Sequence, residues 1–450
     1  DSSFSIMKSN GGMIGAEVAM RQPVHTALSG PAAGVMATLQ IAENTGVKNS
    51  ISFDMGGTST DVALLQDGNP TLNLAGRLGT WPIQLPMLDI ATIGCGGGSI
   101  ANVSPYGSLT VGPASAGSVP GPVCYGKGGT APTVTDANIV LGRINTQIAG
   151  GSLPLDADAA TKAVQEKIAS PLNMDVHAAA SGILSIANNT MVGAIRNVSV
   201  ERGHDPREFA LVAYGGAGPM HAIDVANLLG INQVVAPLHP GIASAYGLLV
   251  AELKNDYART SLQTPPDYDP NGMERIYSEM ESEGRAWLAE EGVPTDAHVF
   301  SRWADVRYEH QGSEVTVDFG SKKVTKKTID EVVEGFHALH EQLYGFSLDQ
   351  PVEFVTLRMT ASGDVGSVEM PKRPDNLVTP EKAIASQRPV FFDEAGGFVD
   401  CNIYDRDLLA LGSSIDGPAI LEGMDSTVLI NPGWAGKIDE YGNCIMRPTK

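Results

Sequence analysis

The sequence predicts an α/β domain over residues 1–255 and a C-terminal α+β domain, mostly β, over residues 256–450. Three observations support this prediction. An apolar strand, a glycine turn and a helical segment follow one another between Phe209 and Gly230, an order typical of α/β units. Short apolar runs separated by glycine-rich turns fill residues 49–144. After residue 256, alternating runs such as SEVTVDF indicate antiparallel strands.

The stretch FDMGGTSTDVALLQ, residues 53–66, predicts a strand, a tight turn and a second strand. Apolar runs flank the turn, and Gly56 and Gly57 suit it because glycine tolerates positive φ angles. An ordinary hairpin turn needs only one glycine and an Asn or Asp. The composition of this turn therefore indicates a function beyond the turn itself.

Two helices are predicted in the rest of the first domain. Apolar residues recur with an approximately helical period between Ile183 and Val198, and Gly203 follows as a stop signal. The second helix follows FALVAY and GGAG, where Pro219 suits the first helical position and Gly230 the end. Glycine-rich residues from about 75 to 150 are expected to be an insertion in this domain.

The character of the sequence changes near residue 256. A charged helical segment spans roughly residues 271–291, and VEFVTLRMTASG after it has the pattern of a strand. The tail, with PVFFDEAGGFVD and TVLINPGWAGKI, is also β-rich. These changes place the predicted domain boundary near residue 256.

Composition limits the classes of protein that the chain can represent. With 450 residues it is long enough for two or three domains. A net charge of −21 argues against a nucleic-acid binder, because phosphate contacts need a basic face. The four cysteines form no Cys-x-x-Cys pair, which suits a reducing, cytoplasmic compartment. No apolar run approaches the roughly 20 residues that cross a bilayer, so no membrane association is expected.

The turn between Asp54 and Asp61 carries residue types that bind phosphate. Adjacent glycines let backbone N–H groups converge on an anion with no Cβ in the way. Thr58, Ser59 and Thr60 add hydroxyl donors. Asp54 can hold a water on Mg²⁺ or orient a nucleophile, and Asp61 can support either role. Phosphate binding is the preferred interpretation, and a plain hairpin turn is the alternative.

Two further glycine-rich loops lack the motifs of a P-loop or a dinucleotide site. No lysine follows the glycines of TIGCGGGSIA (92–101), and in YGKGGT Gly128 stands where a P-loop needs Ser or Thr. AYGGAGPMHA (213–222) follows a strand and opens a helix, whose N-terminus offers free N–H groups. His221 stands where a dinucleotide motif needs glycine, so a mononucleotide is the expected ligand. The alternatives are a structural turn for the first loop and a helix cap for the second.

His337, His340 and Glu341 in FHALHEQLYG resemble a metal-binding pair on a helix. Their spacing is not that of His-Glu-x-x-His, and a solvated helix face is the preferred interpretation. No chemistry is assigned to five further histidines without a visible partner: His25, His177, His204, His239 and His310.

Seven motifs together carry a resemblance to a known family. They are SNGGM (9–13), SGPAAGV (29–35), FDMGGTSTDVAL (53–64), TIGCGGGSIA (92–101), VGPASAGSVPGPVCYGKGGTAPTVTDANIVLGRI (111–144), AYGGAGPMHA (213–222) and RDLLALGSSIDGPAILEGMDSTVLINPGW (406–434). Over nearly its whole length the chain resembles the hydantoinase A / 5-oxoprolinase family. That family includes ATP-binding subunits of ATP-dependent hydantoinases and lactamases, and a subunit of acetone and acetophenone carboxylases.

The resemblance implies an actin/hexokinase/Hsp70-like ATPase core, in which two related halves clamp ATP with one phosphate loop each. FDMGGTSTD would be the second phosphate loop, holding the β- and γ-phosphates with Mg²⁺, and AYGGAG would lie under the adenosine. Asp54 and Asp61 would be catalytic, and Asp54 would also be a metal ligand. The residues expected to contact the cofactor are Gly56, Gly57, Thr58, Ser59, Gly96, Gly97, Gly98, Gly215, Gly216, Ala217 and Gly218.

One half of that core has no counterpart in the sequence. The family's first half, with its own Asp-x-Gly-Gly-Thr loop, is missing, and the opening DSSFSIMKSNGG resembles the interior of a protein. That half is either removed, supplied by another chain, or part of a longer chain that precedes Asp1. Because the cleft then has one wall, this half-core alone is expected to bind ATP poorly.

The expected function is that of the ATP-activating subunit of a hydantoinase/oxoprolinase-type enzyme. Members of the family use ATP to phosphorylate a carbonyl oxygen of a cyclic amide or an enolised ketone. Glycine-loop N–H groups, Thr58 and a metal would neutralise the developing charge. No residue clearly serves as a hydrolytic base, which implies a B-type partner subunit, with or without a small third subunit. The alternatives are a ketone carboxylase subunit and a non-catalytic assembly subunit.

Overall fold

The computed structural model describes residues 4–73, 76–78, 81–83, 85–148, 150–320, 322–363, 368, 370–373 and 377–449. Its α-helices are α1 (Ala16–Arg21), α2 (Ser29–Asn44), α3 (Val134–Val140), α4 (Ala157–Val164), α5 (Ser170–Leu172), α6 (Val176–Val198), α7 (Gly218–Leu229), α8 (Ala243–Val250), α9 (Pro270–Glu290) and α10 (Lys326–Tyr344).

The strands of the first half are β1 (Ser5–Met7), β2 (Met13–Gly15), β3 (Ser50–Met55), β4 (Thr60–Gln66), β5 (Asn69–Pro70), β6 (Leu72–Asn73), β7 (Gly76–Leu78), β8 (Trp81–Ile83), β9 (Met87–Leu88), β10 (Ile90–Ile93), β11 (Ser99–Val103), β12 (Leu109–Ser115), β13 (Gln147–Ile148), β14 (Leu153–Pro154), β15 (Ala210–Tyr214) and β16 (Val234–Ala236). Those of the second half are β17 (Leu253–Gln263), β18 (His298–Tyr308), β19 (Val315–Asp318), β20 (Val352–Gly363), β21 (Ile384–Phe392), β22 (Gly397–Asp405), β23 (Ser414–Asp416), β24 (Ala419–Glu422), β25 (Thr427–Ile430), β26 (Trp434–Ile438) and β27 (Cys444–Pro448).

The chain divides into two compact units, each built from three separate segments. Unit 1 comprises Asp1–Ala32, Asn73–Met87 and Leu249–Val368. Unit 2 comprises Ala33–Leu72, Leu88–Leu248 and Glu369–Lys450. The domain boundary expected near residue 256 falls inside β17 and stays a prediction.

Unit 2 is built on a sheet in the order β10-β4-β3-β15-β16-β27-β26-β23, with β5 paired to β4. The strands β3, β15 and β16 are parallel to one another, and their outer neighbours β4 and β27 run antiparallel to them. The strands β23, β26 and β27 come from the C-terminal part of the chain. The parallel centre therefore has its carboxyl ends at one edge of the sheet.

Helices cover both faces of this sheet. Along β15, Leu211 and Ala213 belong to the core that includes α6 and α7. Val212 and Tyr214 belong to a second core with residues of α2 and α8. Alternate side chains of a strand point to opposite faces, so a strand covered on both faces is apolar throughout, as FALVAY is. The predicted α/β fold of this part is confirmed.

The predicted local elements of unit 2 are present. The stretch 53–66 forms β3, a turn and β4. Asp175 caps α6 by accepting hydrogen bonds from two backbone N–H groups, and Gly203 lies beyond its end with φ of 82°. The predicted strand, turn and helix correspond to β15 and α7, and Gly230, with φ of 71°, caps the C-terminus of α7. The strands β21, β22, β24 and β25 form a separate four-stranded sheet in this unit.

Unit 1 contains a sheet in the order β1-β2-β17-β20-β18-β19. The strands β17, β20, β18 and β19 are antiparallel, which confirms the prediction from SEVTVDF and VEFVTLRMTASG. The charged segment forms α9, whose Met273, Tyr277 and Met280 enter the core together with Phe336 of α10. Spacings of three and four residues place these α9 side chains on one helix face.

His340 does not lie on a solvated face of α10, so the expectation for the FHALHEQLYG segment is wrong at this residue. His340 is fully buried. Its Nδ1–H donates to the carbonyl of Phe346 over 2.8 Å, and its Nε2 accepts from Gln311 over 3.1 Å. His337 lies 2.8 Å from the hydroxyl of Tyr308. Both histidines therefore have partners within unit 1.

Residues 176–202, which include α6, are the one described segment long and apolar enough to cross a membrane by length and composition. More than half of the most apolar 18-residue window of this segment is buried inside the protein. Ile183, Met191 and Ile195 of α6 belong to the core of unit 2. The apolar character of α6 is thus explained by its packing in unit 2.

Candidate functional site

The hairpin of β3 and β4 places two carboxylates side by side. Asp54 near the end of β3 is the direct cross-strand partner of Asp61 at the start of β4. Directly opposed residues project from the same face of a sheet, with Cβ atoms about 5 Å apart. Asp54 is also paired with Tyr214 at the end of β15. The two carboxylates therefore lie at the carboxyl edge of the parallel strands, where open α/β sheets bind ligands.

A hydroxyl group orients each of these carboxylates. The hydroxyl of Ser244 in α8 donates to Oδ2 of Asp54 over 3.3 Å. The hydroxyl of Thr92 in β10 donates to Oδ1 of Asp61 over 2.5 Å, because Thr92 and Asp61 are cross-strand partners. Hydrogen bonds to the charged form stabilise it. Both hydroxyls thus favour the ionised carboxylates.

Burial and mutual repulsion oppose that effect. Burial, and secondarily the charge of Asp61, raises the pKa of Asp54 to about 6, although the Ser244 hydrogen bond lowers it. Burial also raises the pKa of Asp61, against the lowering effect of Thr92. A buried pair of like charges is stabilised by a cation or by a shared proton. The pair is therefore suited to a cation or to proton transfer.

The turn that joins the two strands presents free backbone donors. The Gly56 N–H donates to the carbonyl of Ser59 over 3.0 Å and closes the turn. Among the described residues, none accepts a hydrogen bond from the N–H groups of Gly57, Thr58 or Ser59. Gly57 and Thr58 are exposed. Free N–H groups on successive residues of a turn form a site for an anion.

The glycines of TIGCGGGSIA lie directly against this turn. The N–H groups of Gly97 and Gly98 donate to the carbonyls of Gly56 and Gly57 over 3.0 and 2.6 Å. A Cβ on Gly96 would lie 2.7 Å from the backbone nitrogen of Thr58, which is closer than real side chains approach. The structure thus uses these glycines to pack backbone on backbone. Their contact with a cofactor stays a prediction.

Side chains from neighbouring elements support the same turn. Thr135, at the start of α3, donates from both its N–H and its hydroxyl to the carbonyl of Gly97, each over 2.8 Å. The hydroxyl of Ser115, at the end of β12, lies 3.5 Å from that of Thr58. The Ala116 N–H donates to the carbonyl of Gly98 over 2.8 Å. The turn therefore rests on a second, hydrogen-bonded loop.

The loop after β15 completes the surroundings of Asp54. Gly215 has φ of 77°, and a Cβ there would overlap the Asp54 carboxylate and the Met55 carbonyl. The Ala217 N–H donates to the Met55 carbonyl over 3.0 Å. Gly218 is buried where α7 begins, against the backbone of β3, whereas Gly216 is exposed. The structure therefore brings the GGAG loop and the DMGGTST turn together, and their joint contact with a nucleotide stays a prediction.

Close helix packing holds Ser244 in place. A Cβ on Gly247 of α8 would overlap the Ala33 carbonyl at the start of α2, and one on Gly34 would overlap the Tyr214 hydroxyl. The Tyr214 and Ser52 hydroxyls are 2.6 Å apart. These contacts explain Gly34, the second glycine of SGPAAGV, because only a residue without a side chain fits there between α2 and β15.

Comparison with known proteins gives the family. A profile of the hydantoinase/oxoprolinase family matches residues 1–257, and a profile of the hydantoinase/oxoprolinase C-terminal domain matches residues 269–445. The chain belongs to this family. The match confirms the family that the motifs indicated.

Relatives of this hydantoinase/oxoprolinase chain include two enzyme subunits. The caprolactamase subunit alpha of Pseudomonas jessenii is 35% identical over 98% of this chain and 64% of its own length. The acetophenone carboxylase gamma subunit of Aromatoleum aromaticum is 33% identical over 99% of this chain and 63% of its own. The chain thus spans less than two thirds of the length of either relative.

Two solved structures resemble the fold of the hydantoinase/oxoprolinase chain. The ATP-dependent caprolactamase from Pseudomonas jessenii superposes with a TM-score of 0.91 at 34% identity, over 100% of this chain and 66% of that one. A nucleotide-free acetone carboxylase gives a TM-score of 0.79 at 25% identity, over 99% and 64%. Both agree with the predicted ATPase-like α/β core and β-rich C-terminal region.

A buried polar network lies beneath the GGAG loop of this hydantoinase/oxoprolinase chain. His221 of α7 is fully buried between Asn188 of α6, at 2.8 Å, and Asn138 of α3, at 3.2 Å. Burial, and then the charge of Arg143, lowers the pKa of His221 to about 4. A neutral, fully enclosed imidazole with two partners joins three helices. We therefore assign His221 a structural role.

A magnesium ion fits the carboxylate pair by its chemistry. Among the described residues, no group of three or more His, Cys, Asp or Glu side chains could enclose a metal. Mg²⁺ bound with nucleotides commonly takes one or two carboxylates and completes its shell with phosphate oxygens and water. Asp54 and Asp61 supply two carboxylates, and burial raises the pKa of both. The donor set suits Mg²⁺ held jointly with a nucleotide.

Sequence reasoning did not assign Thr92, Ser115, Ser244 or Asp425. Thr92 and Asp425 lie within motifs that indicated the family, but no role was given to them there. Ser244 meets Asp54 only because α8 packs beside β3 and β15.

Proposed function

We propose that this chain is the ATP-activating part of an enzyme that phosphorylates the carbonyl oxygen of a cyclic amide such as hydantoin or 5-oxoproline. The observation that carries the proposal is the Asp54–Asp61 pair beside a turn in which no described residue accepts from the N–H groups of residues 57–59. A carboxylate pair next to an anion-binding turn is the arrangement that a metal–triphosphate requires.

The residues of the turn have distinct roles in this proposal. The N–H groups of Gly57, Thr58 and Ser59 bind the β- and γ-phosphates, and the Thr58 hydroxyl adds a donor. Asp54 and Asp61 hold Mg²⁺, which neutralises phosphate charge when bound. The γ-phosphoryl group passes to the carbonyl oxygen, the bond to the β-phosphate oxygen breaks, and ADP leaves. The carbon that bears the phosphorylated oxygen is then open to attack by water.

The loop 215–218 and the glycines 96–98 are assigned to ATP by the same reasoning. Gly216 is exposed and leaves room for the nucleoside, while Gly215, Ala217 and Gly218 hold the loop against β3. The glycines 96–98 act by supporting the phosphate turn. This division gives each predicted residue a physical task.

The caprolactamase relatives favour a cyclic amide as the acceptor. The ATP-dependent caprolactamase structure covers the whole chain with a TM-score of 0.91, and its name indicates a lactam substrate. A second function, activation of an enolised ketone for carboxylation, is favoured by the acetophenone carboxylase gamma subunit at 33% identity. The phosphoryl chemistry is the same in both, and the acceptor differs.

We propose that the enzyme is cytoplasmic and contains partner subunits. The relatives are named as alpha, gamma and beta subunits. A B-type subunit, with or without a small third one, would carry the second chemical step. All four cysteines are free and buried, which suits a reducing compartment.

A substrate-dependent ADP-release assay on the full-length protein with its copurifying subunits tests the proposal. Hydantoin, 5-oxoproline and caprolactam are compared with acetone and acetophenone, each with and without bicarbonate. Stimulation by a cyclic amide is expected, and Asp54→Asn should abolish it. Stimulation by ketones alone would establish the carboxylase function instead. No stimulation by any acceptor would contradict both functions.

A further inference from the structure

Three loops of unit 2 meet beside Gly216. The first loop follows β15, the second follows β16, and the third connects β24 to β25. The Gly241 N–H, after β16, donates to Oδ2 of Asp425 over 2.8 Å. The hydroxyl of Ser426 donates to the carbonyl of Gly216 over 3.4 Å. The segment GMDS (423–426), to which no role has been given so far, therefore lies against the GGAG loop.

Asp425 is fixed in this position by backbone contact. A Cβ on Gly241 would lie 2.7 Å from the Asp425 carbonyl oxygen and 2.9 Å from its Cβ, so the close approach depends on glycine. The Gly423 N–H donates to the Ser426 carbonyl over 3.0 Å and closes the turn that carries Asp425. The carboxylate therefore keeps its place before any ligand binds.

One oxygen of this carboxylate is free. Oδ2 accepts from Gly241, whereas Nδ1 of His239 lies 4.0 Å from Oδ1, beyond hydrogen-bond distance. No described residue donates to Oδ1. The Asp425 side chain is 20% exposed. A partly buried carboxylate oxygen without a donor is available to a hydroxyl or amino group of a ligand.

The order of contacts indicates which part of a nucleotide would reach Asp425. A Cβ on Gly215 would overlap the Asp54 carboxylate at the phosphate end, and one on the next residue, Gly216, would lie 3.9 Å from the Asp425 carbonyl. Consecutive Cα atoms are 3.8 Å apart. In ATP the ribose follows the phosphates directly and the base lies beyond it. The turn that carries Asp425 therefore meets the loop one residue beyond the residue next to Asp54, in the same order as the sugar follows the phosphates.

We propose that Asp425 accepts hydrogen bonds from the ribose hydroxyls of the bound nucleotide; this inference rests on the proposed ATP function. Acidic side chains recognise ribose hydroxyls in other nucleotide-binding α/β folds. A carboxylate repels the triphosphate, so the sugar hydroxyls are the donors that it fits. The exposed backbone of Gly216 leaves space beside it for the sugar ring.

The test is a set of dissociation constants measured by titration calorimetry on the full-length protein with its copurifying subunits. The probes are a non-hydrolysable ATP analogue, its 2′-deoxy and 3′-deoxy forms, and the corresponding inosine analogue. The wild-type protein should prefer the ribose form to at least one deoxy form by about tenfold, as expected for a hydrogen bond to a charged group.

Asp425→Ala should remove that preference by weakening binding of the ribose form to the level of the deoxy forms. Asp425→Asn keeps the size of the side chain and should also reduce the preference. It is the test variant to use if the alanine variant fails to fold. Asp416→Ala, at an exposed position of β23, is the control and should change no ratio.

A purely structural role predicts a different pattern. Loosening of the loop would weaken all analogues by one factor and leave their ratios unchanged, which would overturn the inference. Loss of discrimination against the inosine analogue would assign Asp425 to the base amino group and would also overturn it. Failure of the wild-type protein to bind any analogue would contradict the proposed function, and the inference with it.

Discussion

Replacing Asp54 with asparagine should stabilise the protein while abolishing ATP turnover. Burial and the facing Asp61 raise the pKa of Asp54 from 3.8 to about 6. A shift of about two pKa units corresponds to about 3 kcal/mol of folding free energy. Partial exposure screens the charge, so we expect a gain of about 1–3 kcal/mol. Asparagine has the same shape and can still accept the Ser244 hydrogen bond.

The sign of this effect depends on pH. Above about pH 6 the carboxylate is ionised in the folded and unfolded states, and the folded state carries the cost of burying the charge. Below pH 3.8 it is protonated in both states, and the cost disappears. The stability gain of Asp54→Asn should therefore be largest at pH 8 and should shrink between pH 6 and pH 4. Urea unfolding at several pH values measures it.

The activity of the same variant tests the catalytic role. Substrate-dependent ADP release should fall by more than about a hundredfold, as when a key electrostatic group is removed. Asp416→Asn, exposed on β23, should change neither stability nor turnover. A variant as active as wild type would refute the role of Asp54 in the site. If the stability gain of the variant over wild type were no larger at pH 8 than at pH 4, the burial argument would be refuted.

Three further predictions concern the nucleotide loop and the assembly. Gly215→Ala should destabilise the protein by about 1–3 kcal/mol in thermal unfolding and lower turnover, because φ is positive and the Cβ would overlap Asp54. Gly216→Ala is the matched control, since its nearest neighbour is 3.9 Å away, and equal effects of the two would contradict the geometry. Gly216→Val should weaken binding of a non-hydrolysable ATP analogue in calorimetry. An unchanged affinity would indicate that the loop serves only as a helix cap. The full-length protein should purify in a hetero-oligomer that buries more than about 2,000 Å² per interface. Without its partner subunits, the protein should show no substrate-coupled ATPase activity. A protein that is monomeric by light scattering and hydrolyses hydantoin with ATP unaided would contradict this.

Local sequence was enough to predict the elements that carry the site. The apolar runs on each side of DMGGTST predicted β3 and β4, because short-range propensity and turn chemistry act within a few residues. Pro219 and Gly230 bounded α7 for the same reason. The pairing of Asp54 with Asp61 also follows from the hairpin, since a short turn determines the register of its strands.

The tertiary structure alone decided what surrounds these elements. The TIGCGGGSIA glycines are expected at the cofactor, and only the structure shows that the N–H groups of Gly97 and Gly98 donate to the carbonyls of Gly56 and Gly57. His340, expected on a solvated face, is buried. Ser244 is 190 positions from Asp54, and Asp425 is 184 from Gly241. Such contacts depend on how helices and strands pack across the sheet. Residue spacing along the chain does not predict that packing.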